Sequence, residues 1–112
     1  VLVSVDRIVP SEDIISRPRE TSIPCIYVDA VVEIPFGAHP TGSFPNYSID
    51  EDHIDAYAAC ADAARKGAPD GDRDLQAYIK QHVIAPTDQE SYLASVGGTI
   101  RMDELVAEAQ AL

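Results

Sequence analysis

Residues 28–41, VDAVVEIPFGAHPT, form an apolar run that ends abruptly in a polar-tipped turn. Alternation places Val28, Ala30, Val32 and Ile34 on one face of a strand and Asp29, Val31 and Glu33 on the other. The run is mostly apolar, with valines at its centre. This predicts a strand covered on both sides, as in an α/β sheet, rather than a solvated hairpin strand. Pro35 lacks a backbone donor and ends the ladder. Gly37 permits backbone angles closed to other residues, and Pro40 stiffens the exit and restricts His39. The expectation is a short, well-determined loop at the carboxyl end of a buried strand, where open α/β sheets set their ligand sites.

Working outward, the β-branched start of the chain predicts a second strand over residues 1–8, closed by Pro10. Ser11 is a candidate cap for a short helix over residues 12–16, with Glu12 and Asp13 near its positive end. Arg17, Pro18, Arg19 and Pro24 mark a loop before the strand at residues 27–34. Residues 41–47 have no period and read as irregular.

Helices follow. Ser48-Ile49-Asp50-Glu51 fits a capping box, with Ile54, Tyr57, Ala58, Ala61 and Ala64 on an apolar face behind it. After a Gly/Pro turn at residues 67–71, a helix over residues 73–84 presents Leu75, Tyr78, Ile79, His82 and Val83 on one side. Thr87-Asp88-Gln89-Glu90 fits a second capping box, leading Tyr92, Leu93 and Val96 to a stop at Gly97-Gly98. A last amphipathic helix over residues 101–111 turns Met102, Leu105, Val106 and Ala109 inward. No internal repeat or low-complexity tract interrupts this order.

The fold class expected is α/β: two buried strands of a larger α/β sheet followed by a helical C-terminal tail. Residues 1–47 form a strand–helix–strand element carrying the PFGAHP turn and residues 48–112 a helical segment, together part of one larger domain. Two strands alone are marginal in water, and buried parallel strands need neighbours. The chain also starts at Val1, without Met, in what reads as mid-strand. The expectation is a piece of a larger protein, or a subunit completed by another chain.

Among 112 residues, eight Lys and Arg face nineteen Asp and Glu, for a net charge of −11. That balance argues against nucleic acid or an anionic membrane as partner, since both present phosphates. Asp50, Glu51, Asp52 and Asp55 are expected on a solvated helix face. No stretch approaches the ~20 apolar residues that span a bilayer, and no signal-peptide pattern is visible. Cys25 and Cys60 form neither a disulfide framework nor a metal motif, so a reduced, cytoplasmic setting is expected.

VDAVVEIPFGAHPT, with the acidic helix start NYSIDEDH after it and SVDRIVPSEDI before it, resembles the C-terminal part of the A subunit of family I coenzyme A transferases, of the glutaconate CoA-transferase type. The resemblance covers the first half of the chain closely and the helical half loosely. It implies a hetero-oligomer whose partners are a B subunit together with the remainder of the A subunit. It also implies acyl-CoA as substrate, with the coenzyme A thioester acted on rather than held as a cofactor. In this chemistry a glutamate carboxylate attacks the thioester, and CoA thiolate opens the resulting anhydride. The glutamyl-CoA so formed passes CoA to an acceptor acid. A related branch sharing the motif hydrolyses CoA thioesters during ring degradation.

The family's nucleophile, a Glu followed closely by glycines, has no match here: no glutamate has a glycine within two residues downstream. By resemblance, the transferase nucleophile belongs to the B subunit, and the hydrolase branch carries its acidic residue upstream on A. No catalytic residue is therefore expected in this chain. Glu33 ends the strand before the loop, but Pro35 offers no oxyanion donor there, so pairing with a neighbouring base or with solvent is the simpler reading.

Gly37, Ala38 and His39 are the candidate residues for contact with the coenzyme. Gly37 and Ala38 would let a ligand or facing backbone approach, although tight-turn geometry explains Gly37 equally. His39 has a functional reading, in which it contacts a CoA phosphate, donates to a substrate carboxylate or caps a helix in the rest of the domain, and a structural one, in which it bonds backbone carbonyls at the subunit interface. His39, His53 and Asp50 match no metal-ligand spacing, and His53 with Asp50 reads as a helix-start charge pair, so no metal is expected. Tyr57, Tyr78 and Tyr92 read as packing residues on helix faces and Cys60 as buried and inert. A reading from another class also stands: a non-catalytic helical interaction module retaining a strand–turn element.

Overall fold

Two short strands, β1 (Leu2–Val5) and β2 (Ala30–Glu33), pair in parallel in the computed structural model, which describes residues 1–112. Their register runs from Leu2 opposite Ala30 to Val5 opposite Glu33. Backbone bonds from Asp29 N to Val1 O (2.9 Å) and from Ile34 N to Val5 O (2.8 Å) finish the ladder at each end. Both strands are shorter than residues 1–8 and 27–34. Asp6 turns out of the ladder, its carboxylate accepting from Phe36 N at 2.8 Å. A 3-10 turn at Cys25–Tyr27 delays the start of β2.

The parallel pairing matches the α/β expectation, but burial of the strands does not. Every residue of β2 is exposed, and Leu2 of β1 is 80% exposed. On one face, α1 (Ser11–Ser16) and the loop behind it half-cover Val3 and Val5, leaving an apolar groove lined by Ile14, Ile23, Cys25 and Val31. The opposite face, with Leu2, Ser4, Ala30 and Val32, is bare. Helix α1 begins at Ser11 itself, with Pro10 in the capping position and no side-chain cap.

The chain divides into two compact units, Val1–Ala38 and His39–Leu112. The boundary falls before His39, not between residues 47 and 48, because the segment after the turn packs with the helices. Ser48 N donates to Leu105 O (2.9 Å), Asp50 N donates to Pro40 O (2.9 Å), and Tyr47 is 1% exposed. The peptide bonds His39–Pro40 and Phe44–Pro45 are cis.

The second unit contains α2 (Glu51–Arg65), α3 (Gly71–Ile79), α4 (Gln89–Ser95) and α5 (Gly98–Ala111). Alanine-rich α2 has high intrinsic helicity. Its cap is Asp50, accepting from His53 N at 3.3 Å, so the expected Ser48 box is displaced two residues. Likewise α4 is capped by Asp88, reciprocally bonded with Ser91, rather than by Thr87 with Glu90. Helix α3 starts at Gly71, earlier than residue 73, and passes at Lys80 into a π-helical turn ending at Ile84. A Cβ on Gly71 would lie 2.7 Å from the carbonyl carbon of Ala63, so only glycine lets α3 start this close to α2. The Gly97-Gly98 stop holds, with both glycines at positive φ, and α5 starts directly from it. Val96, Met102, Leu105 and Ala109 join Tyr47 in the core.

Candidate functional site

The turn closing the first unit is built differently from its sequence reading. Phe36, not Gly37, takes the left-handed conformation, at φ 57°. Gly37 is required for space: a Cβ there would sit 2.8 Å from Ile34 O, whose carbonyl accepts from Gly37 N at 2.9 Å. Glu33 accepts from the backbone N–H of Ile8 at 2.6 Å, which ties down the chain after β1. Its partner is backbone rather than a base. Gly37 and Ala38 belong to the first unit and His39 opens the second.

His39 is buried, with a side chain at 0% exposure, and both ring nitrogens are engaged by protein groups. Nε2 bonds Asp50 Oδ2 at 3.0 Å and Nδ1 bonds the Tyr92 hydroxyl at 2.7 Å. Asp50, expected on a solvated face, is 2% exposed. Its Oδ1 accepts from Arg101 Nη2 at 2.7 Å. Burial alone would raise the Asp50 pKa, but the bonds from Arg101, His39 and the His53 backbone outweigh it and lower it to about 2. Asp50 is therefore an anion that accepts only, and the proton between it and His39 lies on Nε2. Arg101 is held more firmly charged than usual by Asp50 first and Glu104 second.

Beside this pair, His53 Nε2 bonds the Tyr78 hydroxyl at 2.7 Å, and its ring lies 5.3 Å from that of His39 and 5.0 Å from that of His82. The expected side-chain pairing of His53 with Asp50 is replaced by a backbone cap. His82 Nδ1 bonds Ser95 Oγ at 3.0 Å. Burial lowers the pKa of both His53 and His82, and the neighbouring imidazoles lower them further. Burial raises the phenols of Tyr78 and Tyr92. These tyrosines are hydrogen-bonding members of the cluster as well as packing residues, and Cys60 is only half-buried.

His39, His53 and Asp50 stand out together in the sequence, but Arg101 and Tyr92 beside them do not. Those contacts span 51 and 53 positions, and no local pattern encodes them. No group of three His, Cys, Asp or Glu side chains converges as a metal-holding set. A surface depression of about 350 Å³ lies near Arg101, but Glu51, Asp52 and Glu108 line it too, which disfavours anions. No helix is long and apolar enough to cross a membrane.

No family model matches the chain. It is 37% identical over 105 residues to an uncharacterized protein of Archaeoglobus fulgidus, covering 94% of this chain and 22% of that protein. It is 33% identical over 98 residues to the A subunit of glutaconate CoA-transferase from Acidaminococcus fermentans, covering 88% and 28% of the two chains. A 61-residue stretch is 39% identical to the cholesterol ring-cleaving hydrolase IpdA subunit of Mycobacterium tuberculosis, covering 53% and 21%. The crystal structure of the Acidaminococcus fermentans glutaconate CoA-transferase superposes with a TM-score of 0.71 at 29% identity, over 93% of this chain and 30% of that one. The chain thus spans between a fifth and a third of the length of these relatives.

Proposed function

From the chain's homology to part of the A subunit of glutaconate CoA-transferase, a family I CoA-transferase, we propose that it serves as the C-terminal portion of such a subunit, where it supports movement of CoA from an acyl-CoA to a carboxylic acid. The observation that carries this reading is the structural match over 93% of the chain, which spans both the parallel strands and the helical unit. The bare faces and unpaired edges of β1 and β2 support it further, because parallel strands are stable when covered and flanked. The partners proposed are a B subunit together with the remainder of an A subunit, in a reduced cytoplasmic setting consistent with free Cys25 and Cys60.

The nucleophile in this reading lies outside the chain. Glu33 is bonded to the backbone amide of Ile8, and Pro35 two residues on has no N–H to offer an oxyanion. The chain's own contribution is the rigid Phe36–Gly37–Ala38 turn, which is proposed to lie along the coenzyme. His39 contributes by holding the chain after that turn through Asp50 and Tyr92, and not by direct contact with the ligand.

The test is an acyl-CoA assay on the chain assembled with its partner polypeptides, with borohydride trapping and peptide mapping. A glutamyl-CoA adduct on a partner peptide is expected. An adduct on a glutamate of this chain would overturn the reading. The identity to the hydrolase over 61 residues favours a second reading, in which water replaces the acceptor acid. CoA release that is independent of any added carboxylic acid, with no trappable adduct, distinguishes it.

A further inference from the structure

The apolar groove of the first unit, about 460 Å³, lies entirely within Val1–Ala38, on the face of the sheet that α1 flanks. Ile8, Ile14, Ile23 and Val31 line it, and each is between 48% and 63% exposed. The crossover between two parallel strands ordinarily closes such a face with its helix. Here only the six residues Ser11–Ser16 of the crossover are α-helical, and none of them is buried. A helix of six residues runs about 9 Å, whereas four residues of parallel strand run about 13 Å. Helix α1 therefore falls short of the pair it accompanies.

The same groove carries a charge. Arg7 follows β1 and lines it, and its guanidinium makes no ion pair or hydrogen bond within the chain. The acids around it are engaged with backbone: Asp6 accepts from Phe36 N and Glu33 from Ile8 N. Arg17 of the same unit, by contrast, is paired with Glu20 at 2.9 Å. In water an unpaired guanidinium costs little. Once the groove is covered, Arg7 loses that water, and the cover must bring a carboxylate or pay for a stranded cation.

Resting on the reading of the chain as part of an A subunit, we propose that this groove seats an amphipathic α-helix from the remainder of that subunit, with its apolar stripe on Ile8, Ile14, Ile23 and Val31 and an Asp or Glu on Arg7. A helix is the cover that parallel strands take on their faces. Spanning about 13 Å of strand requires about nine residues, between two and three turns. The polypeptide to supply it exists in the relatives, where the matched part is only 28% and 30% of the glutaconate CoA-transferase chains. The opposite face, with Leu2, Ser4, Ala30 and Val32, carries no charge, so the two covers differ in chemistry.

The experiment uses the chain assembled with its partner polypeptides and carrying Ile14→photo-leucine, a near-isostere with a photoreactive diazirine. Cross-linked peptides are mapped by mass spectrometry after irradiation. The expected partner is a peptide from the remainder of the A subunit, with apolar residues at helical spacing and an Asp or Glu. Adding Arg7→Glu should lower the cross-link yield several-fold, and Arg7→Lys should retain most of it. Arg7 is exposed and its side chain bonds nothing in the chain, so neither change removes a contact that the fold itself uses. A cross-link only to a B-subunit peptide, only to a second copy of this chain, or to nothing would overturn the inference, as would a yield unchanged by Arg7→Glu. An assembly that forms the glutamyl-CoA adduct but gives one of those results refutes this inference alone. The expected cross-link without an adduct refutes the CoA-transfer reading alone.

Discussion

Arg101 donates from Nη2 to Oδ1 of Asp50 at 2.7 Å, joining the first turn of α5 to the cap of α2 across 51 positions. Asp50 uses its other oxygen on His39, so one carboxylate ties together the start of the helical unit, its longest helix and its last. Such a buried anion stays favourable only while its donors remain in place.

Arg101→Ala strands that anion. The expected loss is about 3 kcal/mol in a denaturant melt, the scale seen when one partner of a buried pair is removed. Arg101→Lys keeps the charge but not the planar fork that also reaches Glu104, and is expected to lose less. Equal stability of Arg101→Ala and the parent would show that the pair adds nothing.

Acid unfolding has a defined window from the same residue. The Asp50 pKa is 3.8 in an ordinary environment and about 2 in the fold, so its stabilising contribution is complete above 3.8 and disappears as pH falls toward 2. The amount is about 2 kcal/mol. Stability measured against pH should lose that segment in Asp50→Asn, a variant that is already less stable at neutral pH.

Much of this architecture was legible because it is local. The parallel pair follows from VDAVVEIP and its partner near the amino terminus, and the four longer helices from apolar periodicity, glycine stops and acidic caps. The helix starts moved by one to three residues, those of α2 and α4 because Asp50 and Asp88 out-compete Ser48 and Thr87 as acceptors at the caps. What was not legible depends on distant contacts. Asp50 sits in an acidic run that looks solvated, and only Arg101 and His39, far away in sequence, turn it inward. Covering of β2 was inferred from its composition, and composition cannot say which polypeptide supplies the cover.

His39→Ala is expected to destabilise the helical unit by about 1–3 kcal/mol, because it leaves buried Asp50 and half-buried Tyr92 each short of a partner. Tyr92→Phe should cost less, removing one hydroxyl and retaining the ring. A His39→Ala protein that melts like the parent and yet loses kcat/KM in the complete enzyme would restore ligand contact as the role of His39.

Two glycines should resist even alanine, for steric reasons. The added Cβ meets Ile34 O at 2.8 Å for Gly37→Ala and the Ala63 carbonyl carbon at 2.7 Å for Gly71→Ala. Both neighbours are backbone, so relief requires the chain to move, at about 1–3 kcal/mol. Gly71→Ala should show this as a lower melting temperature. Gly37→Ala should show it as reduced activity of the assembled enzyme, because the turn it distorts is the one proposed to lie along the coenzyme.

The bare sheet face gives the last test. Leu2 is 80% exposed and Val32 53%, and each strand has one edge without a ladder partner. Apolar strands in this state pair with whatever polypeptide offers a complementary edge or face. Val32→Glu sets a charge in the middle of the bare face, where a covering layer would have to desolvate it at a cost of several kcal/mol. The variant should therefore lose association with the remainder of the sheet in size-exclusion chromatography with light scattering. Val32 lies in the first unit, outside the His39–Leu112 core, so the helical signal should melt as in the parent. Unchanged mass on Val32→Glu would show that this face stays open to solvent, and the proposed completion of the sheet would fail.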